Sequence, residues 1–164
     1  MSDDLFNSIY NKSLDLLSRR EHSKKEIKEK LNLRFENKEL IDSVLVKLLE
    51  NNLVNDSRFT ESYVSSRKRK GFGPKKIIYE LLSKGVNESI SEAIIAESDD
   101  WEQVAKSTFA KKYKDGICSE TKDQLKQKNF LQNRGFRFKE IESVFNEDML
   151  WFEKYVVWGF SKKI

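Results

Sequence analysis

The densest group of side chains with chemical potential in this sequence is basic and lies near the middle of the chain. Six cations fall within ten residues, with no acid among them: Arg67, Lys68, Arg69, Lys70, Lys75 and Lys76. Cations at this density attract polyanions, because each contact with a phosphate releases a condensed counterion. A solvated helix end would also favour cations through the helix dipole. The density of the central group favours polyanion binding over that simpler explanation.

Two smaller basic groups lie on either side of the central one. They comprise Arg19, Arg20, Lys24 and Lys25 on the N-terminal side, and Lys111 and Lys112 on the C-terminal side. If the chain is built from regularly stacked units, the three groups would line up as a basic stripe that suits a polyanion. For these two groups the interpretation as ordinary solvated helix ends stays equally open.

No arrangement typical of catalysis or metal binding accompanies the cations. His22 is the only histidine, so a His-rich metal site is not possible, and the single cysteine, Cys118, is distant in sequence. The segment Gly71-Phe72-Gly73 lacks the third glycine and the Gly-Lys-Ser/Thr ending of nucleotide-binding loops. We therefore expect a protein that acts by binding, with no catalytic residue, no cofactor and no metal.

Two phenylalanines follow a glycine at a predicted junction between helices. Phe72 follows Gly71, and Phe136 follows Gly135. Such rings could stack on nucleic-acid bases, or they could act as hydrophobic staples that fix the chain entering a helix. The staple is the preferred interpretation.

Helices are the elements that must position these residues. One proline and six glycines in 164 residues are few turn-forming residues for a fold with many strands. Apolar residues instead recur at helical spacing. Signals for helix starts recur along the chain: a capping box at Ser23 and Glu26, possible caps at Asn37 and Asp99-Asp100, and Pro74 at a first helical position. The predicted fold class is all-α.

A pattern of about fifty residues occurs three times in the chain. Leu31, Leu81 and Leu131 are spaced by fifty residues. Each is followed by an apolar anchor and then by a further apolar position: Phe35 and Val44, Val86 and Ile95, Phe136 and Phe145. Units with such a period bury their apolar faces by stacking on one another. The sequence therefore predicts an elongated array of three tandem three-helix repeats.

The predicted repeats span residues 1–54, 55–98 and 99–147, followed by an aromatic C-terminal helical extension at 148–164. The apolar stripe that begins at Phe138 continues at helical spacing through Met149, Phe152 and Val156. We expect the extension to cap the third repeat, because an open array needs its last apolar face covered. The alternative is that its aromatic residues form a surface for a partner.

Composition sets the expected compartment. The net charge is only +4, so the case for a polyanion depends on where the cations lie. A single cysteine suggests a reducing environment, the first residues are acidic and unlike a signal peptide, and no apolar run approaches the ~20 residues that span a bilayer. We expect a cytoplasmic monomer without a membrane partner.

Several segments closely resemble the RecX regulatory proteins. The central signature consists of LVNDSRF (53–59), SRKRKGFGP (66–74) and ELLSKGV (80–86). RREHS (19–23) with Glu26-Ile27 and Leu31 resembles the first repeat of that family, and FLQNRGF (130–136) with Glu140-Ile141 resembles the third. The chain departs from the family pattern at Arg137, where a serine cap is common, and in residues 148–164, which extend beyond the usual end.

The resemblance implies a non-enzymatic regulator of the RecA recombinase. It implies a curved array of three-helix repeats that lodges in the groove of the RecA–DNA filament and usually inhibits strand exchange and ATP hydrolysis. The implied partners are the RecA filament and single- or double-stranded DNA. Two other classes stay open: a stand-alone nucleic-acid-binding helical repeat protein and a protein–protein scaffold.

Overall fold

The structure is a computed structural model that describes residues 1–146, which contain helices and no strand. Eight helices have both ends within these residues: α1 (Ser2–Arg19), α2 (Lys24–Asn32), α3 (Lys38–Glu50), α4 (Asp56–Arg69), α5 (Pro74–Ser83), α6 (Glu88–Glu97), α7 (Trp101–Lys112) and α8 (Thr121–Asn133). A further helix, α9, begins at residue 138 and is helical up to residue 146. The prediction of an all-α fold is confirmed.

The described residues group into two compact units. Unit 1 comprises Met1–Ser65 and Ile78–Glu97, and unit 2 comprises Ser66–Ile77 and Ser98–Ile164, of which the structure describes residues up to 146. The division into three repeats stays a prediction. The predicted extension at 148–164 lies outside the described residues, as do Met149, Phe152 and Val156 of the predicted stripe.

Each unit has its own apolar core. In unit 1, α1, α2 and α3 pack around Ile9, Ile27, Leu31, Ile41, Val44, Leu45, Leu48 and Val54. In unit 2, α7 packs on α8 around Ala105, Phe109, Leu131, Phe136, Ile141, Val144 and Phe145. The three leucines that marked the period, Leu31, Leu81 and Leu131, are all fully buried. Each such leucine contributes about 2 kcal/mol of burial free energy, which explains why an apolar residue is required there.

Local capping chemistry determines where several helices begin. The predicted capping box at the start of α2 is present, because the Glu26 N–H donates to Ser23 Oγ at 3.1 Å and the Ser23 N–H donates to the Glu26 carboxylate at 3.3 Å. The side chain of Asn37 caps α3, accepting from the Leu40 N–H at 3.1 Å. Pro74 is the first residue of α5, where its missing N–H is not needed.

The predicted cap of α7 requires a correction. Asp100 is the N-cap residue, but its carboxylate makes no capping hydrogen bond. It forms an ion pair with the Lys68 ammonium instead. In that ion pair both partners are ionised, whereas at the cap only the carboxylate would carry a charge.

No helix among residues 1–146 is both long enough and apolar enough to cross a membrane.

Candidate nucleic-acid interface

The central basic segment lies in a contact between two turns of unit 2. We call this contact junction 2: residues 70–76, which connect α4 to the first turn of α5, pack on residues 134–136, between α8 and α9. The Gly73 N–H donates to the Arg134 carbonyl at 2.8 Å, and the Lys75 N–H donates to the Gly135 carbonyl at 2.9 Å. The Arg134 guanidinium donates to the Lys70 carbonyl at 3.1 Å. Backbone hydrogen bonds therefore hold basic residues from distant parts of the sequence together.

Two glycines allow the backbones of junction 2 to approach this closely. A Cβ atom on Gly73 would lie 2.5 Å from the Gly135 carbonyl carbon and 2.6 Å from its oxygen. A Cβ atom on Gly135 would overlap the backbone and Cβ of Lys76. The overlaps are with backbone atoms, which cannot rotate away as a flexible side chain can. Glycine at both positions is a steric requirement of the contact.

Cations surround the ring of Phe72 at this junction. The Arg67 guanidinium carbon is 3.8 Å from the ring centroid, the Arg134 guanidinium carbon is 4.7 Å from it, and the Lys76 ammonium is 4.9 Å from it. Each such contact is worth about 0.5–1 kcal/mol at an exposed site. The ring thus partly offsets the repulsion among the three like charges.

A second aromatic group extends the arrangement towards α7. The Lys112 ammonium lies 4.2 Å from the Phe130 ring centroid, and the Arg134 guanidinium carbon lies 5.4 Å from it. The Tyr113 and Phe130 rings meet edge to face, with centroids 5.6 Å apart. Cations and aromatic rings therefore alternate from Phe72 to Tyr113.

These side chains line an open groove with a volume of about 500 Å³. We call it the cation groove, and its lining is Phe72, Lys76, Lys112, Tyr113, Lys126, Asn129, Phe130, Asn133 and Arg134. Four of these residues are cationic and none is acidic, and one of the four, Lys126, forms an ion pair with Asp123 at 2.9 Å. An adjoining depression of about 320 Å³ adds Lys70 and Lys111. A concave surface lined by one sign of charge concentrates ligands of the opposite sign.

The acidic side chains of residues 1–146 are not placed for metal chemistry. No group of three or more His, Cys, Asp or Glu residues in this part of the chain is arranged to hold a metal ion. The cation groove suits an anion.

Comparison with known proteins identifies the family. Models of the first and second three-helix domains of RecX match residues 10–48 and 55–95. The regulatory protein RecX of Serratia proteamaculans (strain 568) is 30% identical over 164 residues, a match that covers 86% of this chain and 98% of that protein. The chain belongs to the RecX family. The regulatory protein RecX of Pseudomonas savastanoi pv. phaseolicola is 34% identical over 130 residues, covering 79% of this chain and 84% of the relative.

Solved RecX structures share the fold. RecX from Lactobacillus salivarius superposes with a TM-score of 0.76 at 26% identity, covering 92% of this chain and 99% of that one. A second solved regulatory protein RecX gives a TM-score of 0.73 at 23% identity, covering 88% of this chain and 73% of that one, and supports the fold alone. A regulatory role follows from membership of a family whose members are named regulatory proteins.

Only some of the predicted cations of this RecX-family chain meet in the cation groove. The groove and its adjoining depression bring together Lys70, Lys76, Lys111 and Lys112. Arg67 lies beside them on the Phe72 ring, while Arg69 and Lys75 are exposed near the same turn. The central and C-terminal basic groups therefore contribute to one surface of unit 2.

Lys68 belongs to the same run in the sequence but has a different environment. Its ammonium forms an ion pair with Asp100 and lies 4.4 Å from the Trp101 ring centroid. Its side chain is only 16% exposed. Lys68 therefore stabilises the contact between α4 and α7, and its charge is already neutralised within the unit.

The N-terminal basic group, in unit 1, is largely neutralised by acids. The Arg19 guanidinium lies 3.3 Å from the Asp15 carboxylate. The Lys25 ammonium donates to the Ser83 carbonyl at 3.1 Å and lies 3.8 Å from Glu29. Arg20 donates to Glu26 at 3.0 Å, whereas the Lys24 side chain is exposed. The predicted basic stripe along all three groups stays a prediction.

Sequence reasoning missed several groove residues. Arg134 and Phe130 occur in the sequence analysis only within the segment FLQNRGF (130–136), and Lys126 and Tyr113 are not among the candidate site residues. The period of fifty gives a signal for Arg134, because it occupies the position that Lys84 holds one repeat earlier. Phe136, one of the two candidates for base stacking, is 1% exposed and belongs to the core.

Proposed function

We propose that this RecX-family protein inhibits the RecA recombinase by binding along the groove of the RecA–DNA filament, and thereby modulates DNA repair and recombination in the cytoplasm. The observation that carries the proposal is the cation groove of unit 2, whose lining includes four cations and no acid. Groove cations suit DNA phosphates, which dominate the affinity of most proteins for nucleic acids. The regulatory names of the relatives support a regulatory role for such binding.

A mechanism by binding alone is sufficient for this role. A filament groove repeats along its axis, so a protein with several helical units can contact neighbouring recombinase subunits together with DNA. Contacts that favour one arrangement of the subunits shift the filament away from the others, by as much as the difference in binding free energy between the arrangements. Inhibition of ATP hydrolysis and strand exchange would follow without chemistry in the bound protein.

The proposal is tested by measuring ATP hydrolysis by RecA on single-stranded DNA with increasing amounts of this protein. We expect hydrolysis and strand exchange to fall at less than one molecule per RecA subunit. The double variant Lys76→Gln/Lys112→Gln should inhibit less, because it loses two groove cations. Lys30→Gln/Lys38→Gln changes the net charge equally at exposed positions of unit 1 and is the matched control. Unchanged RecA activities at excess protein would contradict the proposal.

A stand-alone nucleic-acid-binding role is the second candidate, since the cation groove needs only phosphates. Tight, salt-sensitive binding to naked DNA with no effect on RecA would favour it. If no salt-sensitive binding to nucleic acid is found, a protein–protein scaffold becomes the better explanation.

A further inference from the structure

Unit 1 contains a contact built like junction 2 and displaced by fifty residues. We call it junction 1: residues 20–26, which connect α1 to the first turn of α2, pack on residues 83–85, at the end of α5. The Ser23 hydroxyl donates to the Lys84 carbonyl at 2.7 Å, just as the Gly73 N–H donates to the Arg134 carbonyl. The equivalent positions are Arg20 and Lys70, Ser23 and Gly73, Glu26 and Lys76, Lys84 and Arg134, and Gly85 and Gly135.

A carboxylate lies at the centre of junction 1. Glu26 accepts hydrogen bonds from the Arg20 guanidinium and the Lys84 ammonium, each at 3.0 Å, and from the Ser23 N–H at 3.3 Å. Burial opposes ionisation of this carboxyl, but the hydrogen bonds from Arg20 and Lys84 outweigh it and lower its pKa. Junction 1 therefore supplies its own anion, and both of its cations form ion pairs with it.

Junction 2 has a cation where junction 1 has that carboxylate. Lys76 replaces Glu26, while Lys70 and Arg134 take the positions of Arg20 and Lys84. The first turn of α5 contains no acid, although the positive end of a helix dipole favours one there. Within residues 1–146, no carboxylate forms an ion pair with Lys76, Lys112 or Arg134. The electrostatic environment of junction 2 lacks the anion that junction 1 contains.

We propose that junction 2 binds a phosphate group at the place that the Glu26 carboxylate occupies in junction 1. Lys76 and Arg134 would contact the phosphate oxygens directly, with Lys112 beside them in the cation groove. The phosphate belongs to a nucleic-acid backbone or to a free polyphosphate, two sources with the same recognition chemistry. This inference rests on the proposed function in that it concerns the same groove, and it deepens that function by naming the group that is bound.

The site recognises phosphate and not base. Three cations already lie within 4.9 Å of the centroid of the Phe72 ring, so the ring serves as a support for them. A phosphate would reduce the repulsion among these cations and complement the dipole of α5. Binding is therefore expected to be independent of base sequence and strongly dependent on salt.

The decisive variant transfers the acid of junction 1 into junction 2. Lys76→Glu places a carboxylate next to Arg134 and at the third position of α5, where an acid is favoured. We expect the isolated variant to bind tripolyphosphate and a twelve-nucleotide single strand at least about tenfold more weakly than the wild type. We also expect a higher melting temperature at low salt. Lys76→Gln, which only removes the charge, should weaken binding less and should not raise the melting temperature.

Lys122→Glu is the matched control, because it makes the same change of charge at an exposed position of unit 2 that does not line the cation groove. Wild-type binding of both probes, lost in Lys76→Glu and kept in the control, would support the site. Binding of one probe alone, with the same dependence on Lys76, would identify the source of the phosphate. Equal weakening by the two charge reversals, or no binding of either probe by the wild type, would overturn the inference. RecA is absent from these measurements, so their failure is distinguishable from failure of the regulatory role.

Discussion

Junctions 1 and 2 use equivalent accepting carbonyls but differ in their electrostatics. In each, a turn that leads into a helix bonds to the carbonyl of a basic residue that precedes a glycine: Lys84 before Gly85, and Arg134 before Gly135. In junction 1 both cations form ion pairs with Glu26, whereas junction 2 has Lys76 at that position. The comparison separates two roles. The hydrogen bond to the carbonyl before the glycine holds the two turns together, and the charge at the position of Glu26 or Lys76 determines whether the junction contains its own anion.

The difference also explains why the overall charge is a poor guide to this protein. A net charge of +4 does not indicate a polyanion-binding surface. In unit 1, Asp15 and Glu26 form ion pairs with Arg19, Arg20 and Lys84. Within residues 1–146, no carboxylate forms an ion pair with Lys76, Lys112 or Arg134, which line the cation groove. The electrostatic potential that a ligand meets depends on which cations are paired with acids locally, and not on the overall composition.

The largest effect should come from disrupting the backbone contact of junction 2. Gly73→Ala places a Cβ against the backbone of Gly135 and Phe136. Relieving this overlap would require a shift of the backbone, which costs more free energy than the rotation of a side chain. We expect the free energy of unfolding to fall by about 3 kcal/mol, the upper range for overpacking, as measured by urea denaturation.

Gly116→Ala is the control for Gly73→Ala. Gly116 has φ +84, and a Cβ there would meet no atom within 4 Å, so its cost of about 1 kcal/mol should be conformational strain alone. If Gly73→Ala costs no more than this control, the two turns of junction 2 are not held in the close contact described above.

A smaller effect should follow from removing the internal anion of junction 1. Glu26→Gln loses two charge-assisted hydrogen bonds and should lower the free energy of unfolding by about 2 kcal/mol at neutral pH. Because the pKa of Glu26 is lowered on folding, its stabilisation is fully present above the ordinary pKa of 4.5 and is lost as the pH falls through the folded-state pKa.

The wild type and Glu26→Gln should therefore converge in stability as the pH is lowered from 6 towards 3. Asp15→Asn provides the comparison, because Asp15 also has a pKa lowered by hydrogen bonding to Lys12 but lies at an exposed surface. We expect its effect on urea denaturation to be much smaller. A difference between wild type and Glu26→Gln that stays constant over this pH range would show that Glu26 acts through packing instead of charge.

Local signals made much of the fold predictable. Capping by Ser23 and Glu26, the position of Pro74 and the apolar period each depend on residues within one or two helical turns, so they can be identified in the sequence. The central basic cluster was visible for the same reason. The start of α7 was predicted at the right residue, but the predicted capping hydrogen bond is absent, because the Asp100 carboxylate pairs with Lys68.

The candidate site was less predictable because it depends on contacts between distant segments. Nothing local distinguishes Lys68, which is paired, from Lys70, which lines the depression beside the groove. Arg134 joins the cluster only because a glycine contact brings α8 against the start of α5. These pairings depend on tertiary packing. The only sign of them in the sequence is the period of fifty, which places Arg134 at the position equivalent to Lys84.

The smallest predicted effect distinguishes the role of Phe72 from that of a base-stacking platform. Phe72 occupies in junction 2 the position of His22 in junction 1, and three cations lie around its ring. Phe72→Leu keeps the apolar bulk but removes the attraction between ring and cations, which is worth about 0.5–1 kcal/mol for each contact. Because the cations themselves remain, affinity for single-stranded DNA should fall by no more than about threefold, and the salt slope should stay the same. Base stacking on an aromatic ring contributes about 1–3 kcal/mol per base, so loss of a stacking platform would weaken the affinity roughly 5- to 150-fold instead.

Fluorescence anisotropy with homopolymeric strands of dT and dA measures the loss of affinity in Phe72→Leu. A loss of that size, greater for the more strongly stacking purine, would contradict a phosphate site and restore Phe72 as a residue that reads bases.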